Sequence, residues 1–497
     1  MIGNSLVARI CIRIIMWIYS FLIPLSAFVY YFYYVTQRKS LLVEFFPDTF
    51  SDEIMYSSLS VFLHYWLGFE LIFHLYFEVT KSRFQKKKLP VFPSKCQRAE
   101  LLINVLQTID KFDTWIEGWF NVGHKKFTFN QIYRENFAEW LAWSFFATTL
   151  EYVRDDPELS YEIELMIDGI EIKKNIKFPD GYNPNCTCIR LTLDPVKAIH
   201  RPFAFYATIF LLNSAFNFLL KIHGFKRFGS RESILNGYWS STLEFDIQEA
   251  NSKSSPPRLT YWYYEPFHVK KNQKPIVFIH GVTGGLFCYA TFIKKLQKLD
   301  RPLFLVELPH ITMQMAEDVP TMEEVVREIE IMLTKRGFHK ATFVGHSMGT
   351  AVCAWIVKES RKMVGGLVMI DPIVFLLHYP NVAYNFVYRN PTAANEHFIS
   401  FLASRELYIS NFFSRHFHWY QCILFAKPRN LLPANTYIYL SEHDNIVPTS
   451  DVHRYLVKNN VNANIMKGLD HGCYLFHSKS VNRIINDIEK CCIARKN

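Results

Sequence analysis

The chain has 497 residues, of which 50% are hydrophobic and 16% aromatic, and it carries a formal net charge of +10. That length holds two or three domains, and the apolar excess, gathered largely in the N-terminal half, exceeds what a water-soluble fold needs. The positive charge comes with no nucleic-acid recognition motif, and ten cysteines without regular spacing exclude a disulfide framework and agree with a reducing compartment.

From the N-terminus, Ile14 to Val35 is a run of 22 residues without a charge, long enough to cross about 30 Å of hydrocarbon even with Pro24 inside it. It is too long for a signal peptide and reads as a membrane anchor. Leu59 to Val79 is a second candidate span, in which Glu70, Glu78, His64 and His74 must face protein, water or a partner helix. Its C-terminal flank carries Lys81, Arg83, Lys86, Lys87, Lys88, Lys95 and Arg98 with no acid among them. Together with Arg9 and Arg13 this predicts a hairpin with both ends cytosolic and an acidic turn around Glu44, Asp48, Asp52 and Glu53. Membrane lipids, through their anionic headgroups, are the expected partner of the basic flank, rather than nucleic acid.

Residues 1–95 therefore form a membrane anchor with a basic flank, and residues 96–250 a helical, membrane-associated region. In that region Gln97 to Phe112, Asn130 to Val153 and Glu158 to Lys173 read as helices. Cys186-Thr187-Cys188 has no second ligand pair near it and reads as structural, and Asn185-Cys186-Thr187 is a glycosylation sequon only if luminal. Phe203 to Leu220 is uncharged over 18 residues but is followed by Lys221, Lys226, Arg227 and Arg231, which favours an interfacial or core-packed helix over a third span.

A linker at Asn251 to Pro257 opens a catalytic domain over residues 251–490, with an aromatic strand at Leu259 to Tyr264. Pro275 to Ile279 reads as a buried strand that ends in His280-Gly281-Val282-Thr283-Gly284-Gly285. Ala341 to Val344 is a second, leading into Gly345-His346-Ser347-Met348-Gly349 and then a helix of small residues, Thr350 to Val357. Strand, sharp turn and helix make a nucleophile elbow, where glycine fits at Gly345 and Gly349 and Ser347 is pushed out above the sheet. A serine hydroxyl needs a base, and the base needs an acid to fix its tautomer.

Asp444, in the loop after the strand Thr436 to Leu440, is the expected acid, and His471, after Ala463 to Met466, the expected base. Asp371, after Gly366 to Ile370, is the alternative acid. Backbone N–H groups of Met348 and Val282 would form the oxyanion hole, with Thr283 competing for the second place. His280 and His346 read as structural. About sixty residues between Pro372 and Pro433, rich in aromatics, exceed what the sheet needs and predict a lid at 373–433.

These motifs resemble the α/β-hydrolase superfamily: HG near the first core strand, GHSMG at the elbow, HDNIVP at the acid loop and DHG at the histidine. More narrowly, Trp140-Leu141-Ala142-Trp143, Leu191-Thr192-Leu193-Asp194-Pro195, Glu307-Leu308-Pro309-His310 and Ile370-Asp371-Pro372 resemble membrane-anchored α/β-hydrolases of fungi and protists. The resemblance implies an α/β fold with a mostly parallel central sheet, and a serine hydrolase with no metal or organic cofactor. Many superfamily members carry Asp-x-x-Gly-x-Gly where this chain has Glu307-Leu308-Pro309-His310, so substrate preference does not carry over. The expected activity is cleavage of an ester with an apolar acyl group. Acyl transfer, thioester or amide hydrolysis are alternatives on the same residues, and a non-catalytic membrane scaffold or ligand-binding protein is the alternative from another class.

Overall fold

The computed structural model describes residues 6–35, 58–87, 93–121, 126–229, 259–267, 274–427 and 431–493. The acidic turn, Lys88, Arg231 and the linker at 251–257 lie outside the described residues. The N-terminal elements are helices α1 (Leu6–Val35), α2 (Ser58–Phe84), α3 (Lys95–Thr108), α4 (Phe112–Trp119), α5 (Arg134–Phe146), α6 (Leu150–Asp155), α7 (Pro157–Lys174) and α8 (Phe203–Ile222). The expected helix Gln97 to Phe112 ends at Thr108, with Phe112 opening α4, and the expected helix Asn130 to Val153 is broken in two. Ala147 takes a left-handed φ of 52°, which ends α5, and Thr149 then caps α6 by accepting from the Tyr152 N–H.

An eight-stranded sheet follows: β1 (Lys226–Phe228), β2 (Thr260–Tyr264), β3 (Ile276–Ile279), β4 (Leu303–Glu307), β5 (Ala341–His346), β6 (Val364–Ile370), β7 (Thr436–Ser441) and β8 (Ala463–Met466). The spatial order is β1-β2-β4-β3-β5-β6-β7-β8, antiparallel at β1/β2 and β2/β4 and parallel elsewhere. Alternate residues feed opposite faces. Val277, Ile279, Phe304, Val306 and Phe343 join one buried cluster, and Ile276, Phe278, Leu303, Leu305 and Val344 the other.

Helices α9 (Ala290–Gln297), α10 (Met322–Lys335), α11 (Gly349–Glu359), α12 (Ala394–Ile399), α13 (Leu407–Arg415), α14 (Trp419–Cys422), α15 (Thr449–Lys458) and α16 (Ser478–Cys492) complete the chain order. α9 and α16 cover one face of the sheet with Phe216 and Leu220 of α8. α10, α11 and α15 cover the other, and there the apolar cluster continues without a break into α2 through α7 and into the insertion carrying α12 to α14.

Buried polar bonds tie that insertion to the N-terminal half. Arg415 donates to the carbonyls of Phe84 (3.0 Å), Gln85 (3.1 Å) and Asp194 (2.8 Å). Tyr388 donates to the Asp194 carboxylate at 2.6 Å, and Trp115 and Trp119 donate to the His378 carbonyl at 2.9 and 3.1 Å. Glu406 caps α13 through the N–H groups of Tyr408 and Ile409 and accepts from Tyr206 of α8 at 2.6 Å. The fully buried guanidinium of Arg201 lies 3.9 Å from the Phe401 ring centroid and donates to the Phe401 carbonyl.

Among the described residues α1 and α8 are long and apolar enough to cross a membrane, by length and composition; α2, which holds the second expected span, is not, and its Phe73 and Phe77 are buried in the protein core. α8 buries Phe205, Tyr206, Phe216 and Leu220 and exposes Leu211, Phe218 and Ile222, so one side packs and the other does not. In α2 the expected burden of Glu70 is met by protein: it is fully buried and accepts from the N–H groups of Phe203 (2.7 Å) and Ala204 (3.2 Å), at the positive end of α8. The basic flank is only partly free for lipid. Arg83 pairs with Glu317 at 2.6 Å, and Arg98 is buried in a two-pronged bond to Glu162 at 2.9 and 2.6 Å.

Removing one partner of such a buried pair strands the other charge. Arg98→Ala is therefore expected to destabilise the protein by about 3–5 kcal/mol, read from denaturant unfolding of the detergent-solubilised chain. The double variant Arg98→Met with Glu162→Leu should regain most of that loss.

Candidate active site

Ser347 sits between β5 and α11 with a φ of 51°, a left-handed conformation that costs a non-glycine residue energy and is held by its surroundings. Its N–H donates to the Ile370 carbonyl at 3.0 Å, and its own carbonyl accepts from the Thr350 hydroxyl at 2.6 Å. The elbow glycines are required by close approach. A Cβ on Gly349 would lie 2.2 Å from the Ile279 carbonyl oxygen of β3, and one on Gly345 would lie 2.9 Å from the Gly349 carbonyl oxygen. Gly349 therefore lets the turn lie against the end of β3, and Gly345 lets the start of α11 fold back onto β5.

Three loops at the carboxyl ends of β5, β7 and β8 converge. His471 Nε2 stands 2.8 Å from Ser347 Oγ, and His471 Nδ1 stands 2.7 Å from Asp444 Oδ2. With its proton on Nδ1 the ring donates to Asp444 and is free to accept the serine proton. The other oxygen of Asp444 accepts from the N–H groups of Ile446 and Val447, each at 2.8 Å, which fixes the carboxylate. Burial opposes charge on His471, but the Asp444 carboxylate, with Asp371 and Asp470 beyond it, outweighs this and raises its pKa to about 9.

Asp371, the alternative acid, is fully buried beside this group but points elsewhere. It accepts from the Ser441 N–H (2.8 Å), the Ser441 hydroxyl (3.1 Å) and the Gly472 N–H (2.8 Å), and so ties the histidine loop to β7. Burial first, and then the neighbouring Asp444 charge, raise its pKa. Asp371, Asp444 and His471 place ligand atoms within 4.8 Å of one another, an array that resembles a metal site. Each of those atoms already serves the hydrogen bonds just described.

Sequence reasoning gave no role to Asp470 or Tyr289. Asp470 Oδ1 accepts from the N–H groups of His471 (2.7 Å) and Asn445 (3.0 Å), joining the acid and base loops, and Asn395 of α12 donates to its other oxygen. Its place in the DHG motif was the available signal. The Tyr289 hydroxyl accepts from the Gly281 N–H at 3.0 Å and lies 2.7 Å from His346 Nδ1, a link from the first glycine loop to the elbow that no local pattern announces. His346 and His280 are buried, and His280 Nε2 accepts from the Leu308 N–H at 3.0 Å.

Val282, Thr283 and Met348 all border the space above Ser347. The Thr283 N–H donates to the Ile311 carbonyl at 3.2 Å, so of the two residues weighed as second oxyanion donor Thr283 is already engaged. A cavity of about 360 Å³ opens over Ser347 and His471, walled by Ile373, Val382, Phe386, Phe398, Ile399 and Phe413 of the expected lid. Of the aromatics in that insertion, Phe386, Phe398 and Phe413 face the cavity, whereas Phe412 and Phe417 pack in the core. None of Glu307, Leu308, Pro309 and His310 borders it. Glu307 instead pairs with Arg227 at 2.8 Å, and the His310 ring lies 5.0 Å from that of Phe412.

Residues 274–436 match the alpha/beta hydrolase fold family. A stretch of 132 residues is 25% identical to the sn-1-specific diacylglycerol lipase ABHD11 of Danio rerio, covering 26% of this chain and 41% of that protein, less than half its length. Among solved structures, a carboxylesterase of the ammonia-oxidizing thaumarchaeon Nitrososphaera gargenis is 16% identical, with a TM-score of 0.32, over 47% of this chain and 95% of that one. A bacterial membrane phospholipase A described as a virulence factor is 13% identical, with a TM-score of 0.35, over 48% and 84%. With its mostly parallel sheet in the order β1-β2-β4-β3-β5-β6-β7-β8 and this family match from β3 through β6, residues 274–436 of the chain belong to the α/β-hydrolase superfamily.

Proposed function

We propose that the protein is a membrane-anchored serine hydrolase that cleaves a lipid-like ester. The observation that carries this reading is the unbroken hydrogen-bonded line from Asp444 through His471 to Ser347, set at the floor of an apolar cavity. His471 takes the Ser347 proton as Oγ attacks the ester carbonyl, and the negative oxygen of the tetrahedral intermediate is held by the N–H groups of Met348 and Val282. His471 then protonates the departing alcohol, and a water molecule activated by the same ring releases the acid from the acyl-enzyme. The relative that is a diacylglycerol lipase supports an acyl substrate.

The anchor reading also gains support. Tyr30 of α1 donates to the His64 carbonyl of α2 at 2.7 Å, so the two helices lie side by side at that end. At their other ends α1 packs against α12, and Arg83 of α2 pairs with Glu317. Both basic ends thus lie beside the hydrolase core, which supports a reading with α1 as the anchor and a cytosolic catalytic domain over residues 251–490. Residues 96–250 serve in this reading as the support for a lid at 373–433.

A fluorophosphonate probe should label the detergent-solubilised wild type and not Ser347→Ala. Absence of labelling in folded wild type would overturn the serine hydrolase reading. Because only the unprotonated ring of His471 accepts the serine proton, a raised pKa delays activity to higher pH. The acid limb of the pH profile should fall above 6.5 and up to about 9. Asp444→Asn removes the main raising contribution while leaving burial in place, so its limb moves to lower pH, and kcat falls by about 10⁴-fold. Asp371→Asn should lose clearly less activity, and the reverse ranking would make Asp371 the acid.

A further inference from the structure

The cavity over Ser347 has two rims, and each carries a large apolar side chain exposed to the surroundings: Phe398 on α12, 43% exposed, and Phe476 after the histidine loop, 81% exposed. Rings left in water forfeit the gain of burial, so a rim built this way calls for an apolar cover. α1 is packed directly on the outer side of α12. The Tyr19 ring lies 5.6 Å from that of Phe401, immediately beyond α12, and Arg13 lies close enough to His397 to act on its charge.

The stretch of α1 that meets the lid is its polar-to-apolar boundary. Arg9 and Arg13 are followed by 22 uncharged residues that begin Ile14-Ile15-Met16-Trp17-Ile18-Tyr19. Arginine followed by tryptophan and tyrosine is the pattern of the headgroup and carbonyl level of a bilayer, with hydrocarbon beyond. Trp17 is 63% exposed and Ile14, Ile15 and Ile18 are about half exposed, so this part of the helix faces outward although it borders the lid. The ester bonds of glycerolipids lie at that same depth, between headgroup and acyl chain.

We propose that the substrate is a membrane-resident acyl ester that enters sideways from the bilayer, crossing the rim between Phe398 and Phe476, with α1 forming the lid-side jamb of the entrance. This rests on the serine hydrolase reading and adds its route and its substrate class. α1 is then part of the enzyme's entrance as well as its tether, and a lipid needs to rise by only a small distance for its ester to reach Ser347 while its tail stays in an apolar environment.

The test uses the full chain reconstituted in phosphatidylcholine vesicles, with two fluorogenic esters: methylumbelliferyl oleate dissolved in the vesicle and methylumbelliferyl acetate in the surrounding water. For Phe476→Asp, and separately for Tyr19→Ala, the ratio of oleate to acetate turnover is expected to fall about tenfold or more relative to wild type. A ratio within about twofold of wild type in both variants, with both substrates slowed together, would overturn the lateral route while fluorophosphonate labelling of Ser347 still upheld the hydrolase. A wild-type protein that neither labels nor turns over either ester would sink both readings together.

Discussion

The whole site hangs on how closely the Ser347 turn approaches β3. Gly349 brings its backbone against the Ile279 carbonyl with no room for a methyl group, and that contact sets Ser347 at its left-handed φ with Oγ lifted clear of the sheet. Everything else is aimed at the point thus defined. β7 and β8 end at the height that lets Asp444 and His471 reach it, and Asp371 and Asp470 hold the two loops at that height by accepting backbone N–H groups rather than by touching the serine. A backbone strain of a few kcal/mol is sustained because the parallel strands on either side are buried on both faces.

Around that centre, the N-terminal half acts as a fixture for the insertion at 373–433. Arg201 and Arg415 are buried cations whose needs are met mainly by backbone carbonyls, and each joins that insertion to chain some two hundred residues or more away. A buried cation satisfied in this way is costly to detach, since removing its partners leaves the charge in an apolar medium. The insertion is therefore held at α13 and at its start, through Trp115 and Trp119, while α12 rests on α1. The segment Leu191 to Pro195, which the sequence offers without an evident purpose, is the part of this fixture that receives Arg415 and Tyr388, and Ser144, just after Trp140 to Trp143, receives Trp419.

Much of this was legible in the chain because the chemistry is punctuated locally. Apolar runs that end in glycine, as at Gly281 and Gly345, mark strands meeting turns, and the order of Ser347, Asp444 and His471 follows the order of strand ends. What was not legible depends on distant partners. Arg98 reads as one more positive charge of a membrane flank, and only the fold brings Glu162 to it. Glu70 reads as a defect in an apolar helix until the first turn of α8 is seen to need an acceptor there. Tyr289 sits in a short helical turn with nothing nearby to mark it, and its two bonds span from Gly281 to His346. The helix break at Ala147 likewise has no glycine or proline to announce it.

The three residues of the site are supplied by β5, β7 and β8, and β7 and β8 are the last two strands at one edge of the sheet. The aspartate and histidine are correctly placed only once β7 has docked in register on β6 and β8 on β7. Chemical competence is thus a property of the finished sheet, absent from any partly assembled chain. During synthesis the serine emerges 124 residues before the histidine that bonds to it, so the proposed hydrolytic activity would stay latent in a nascent polypeptide until its last strands are made.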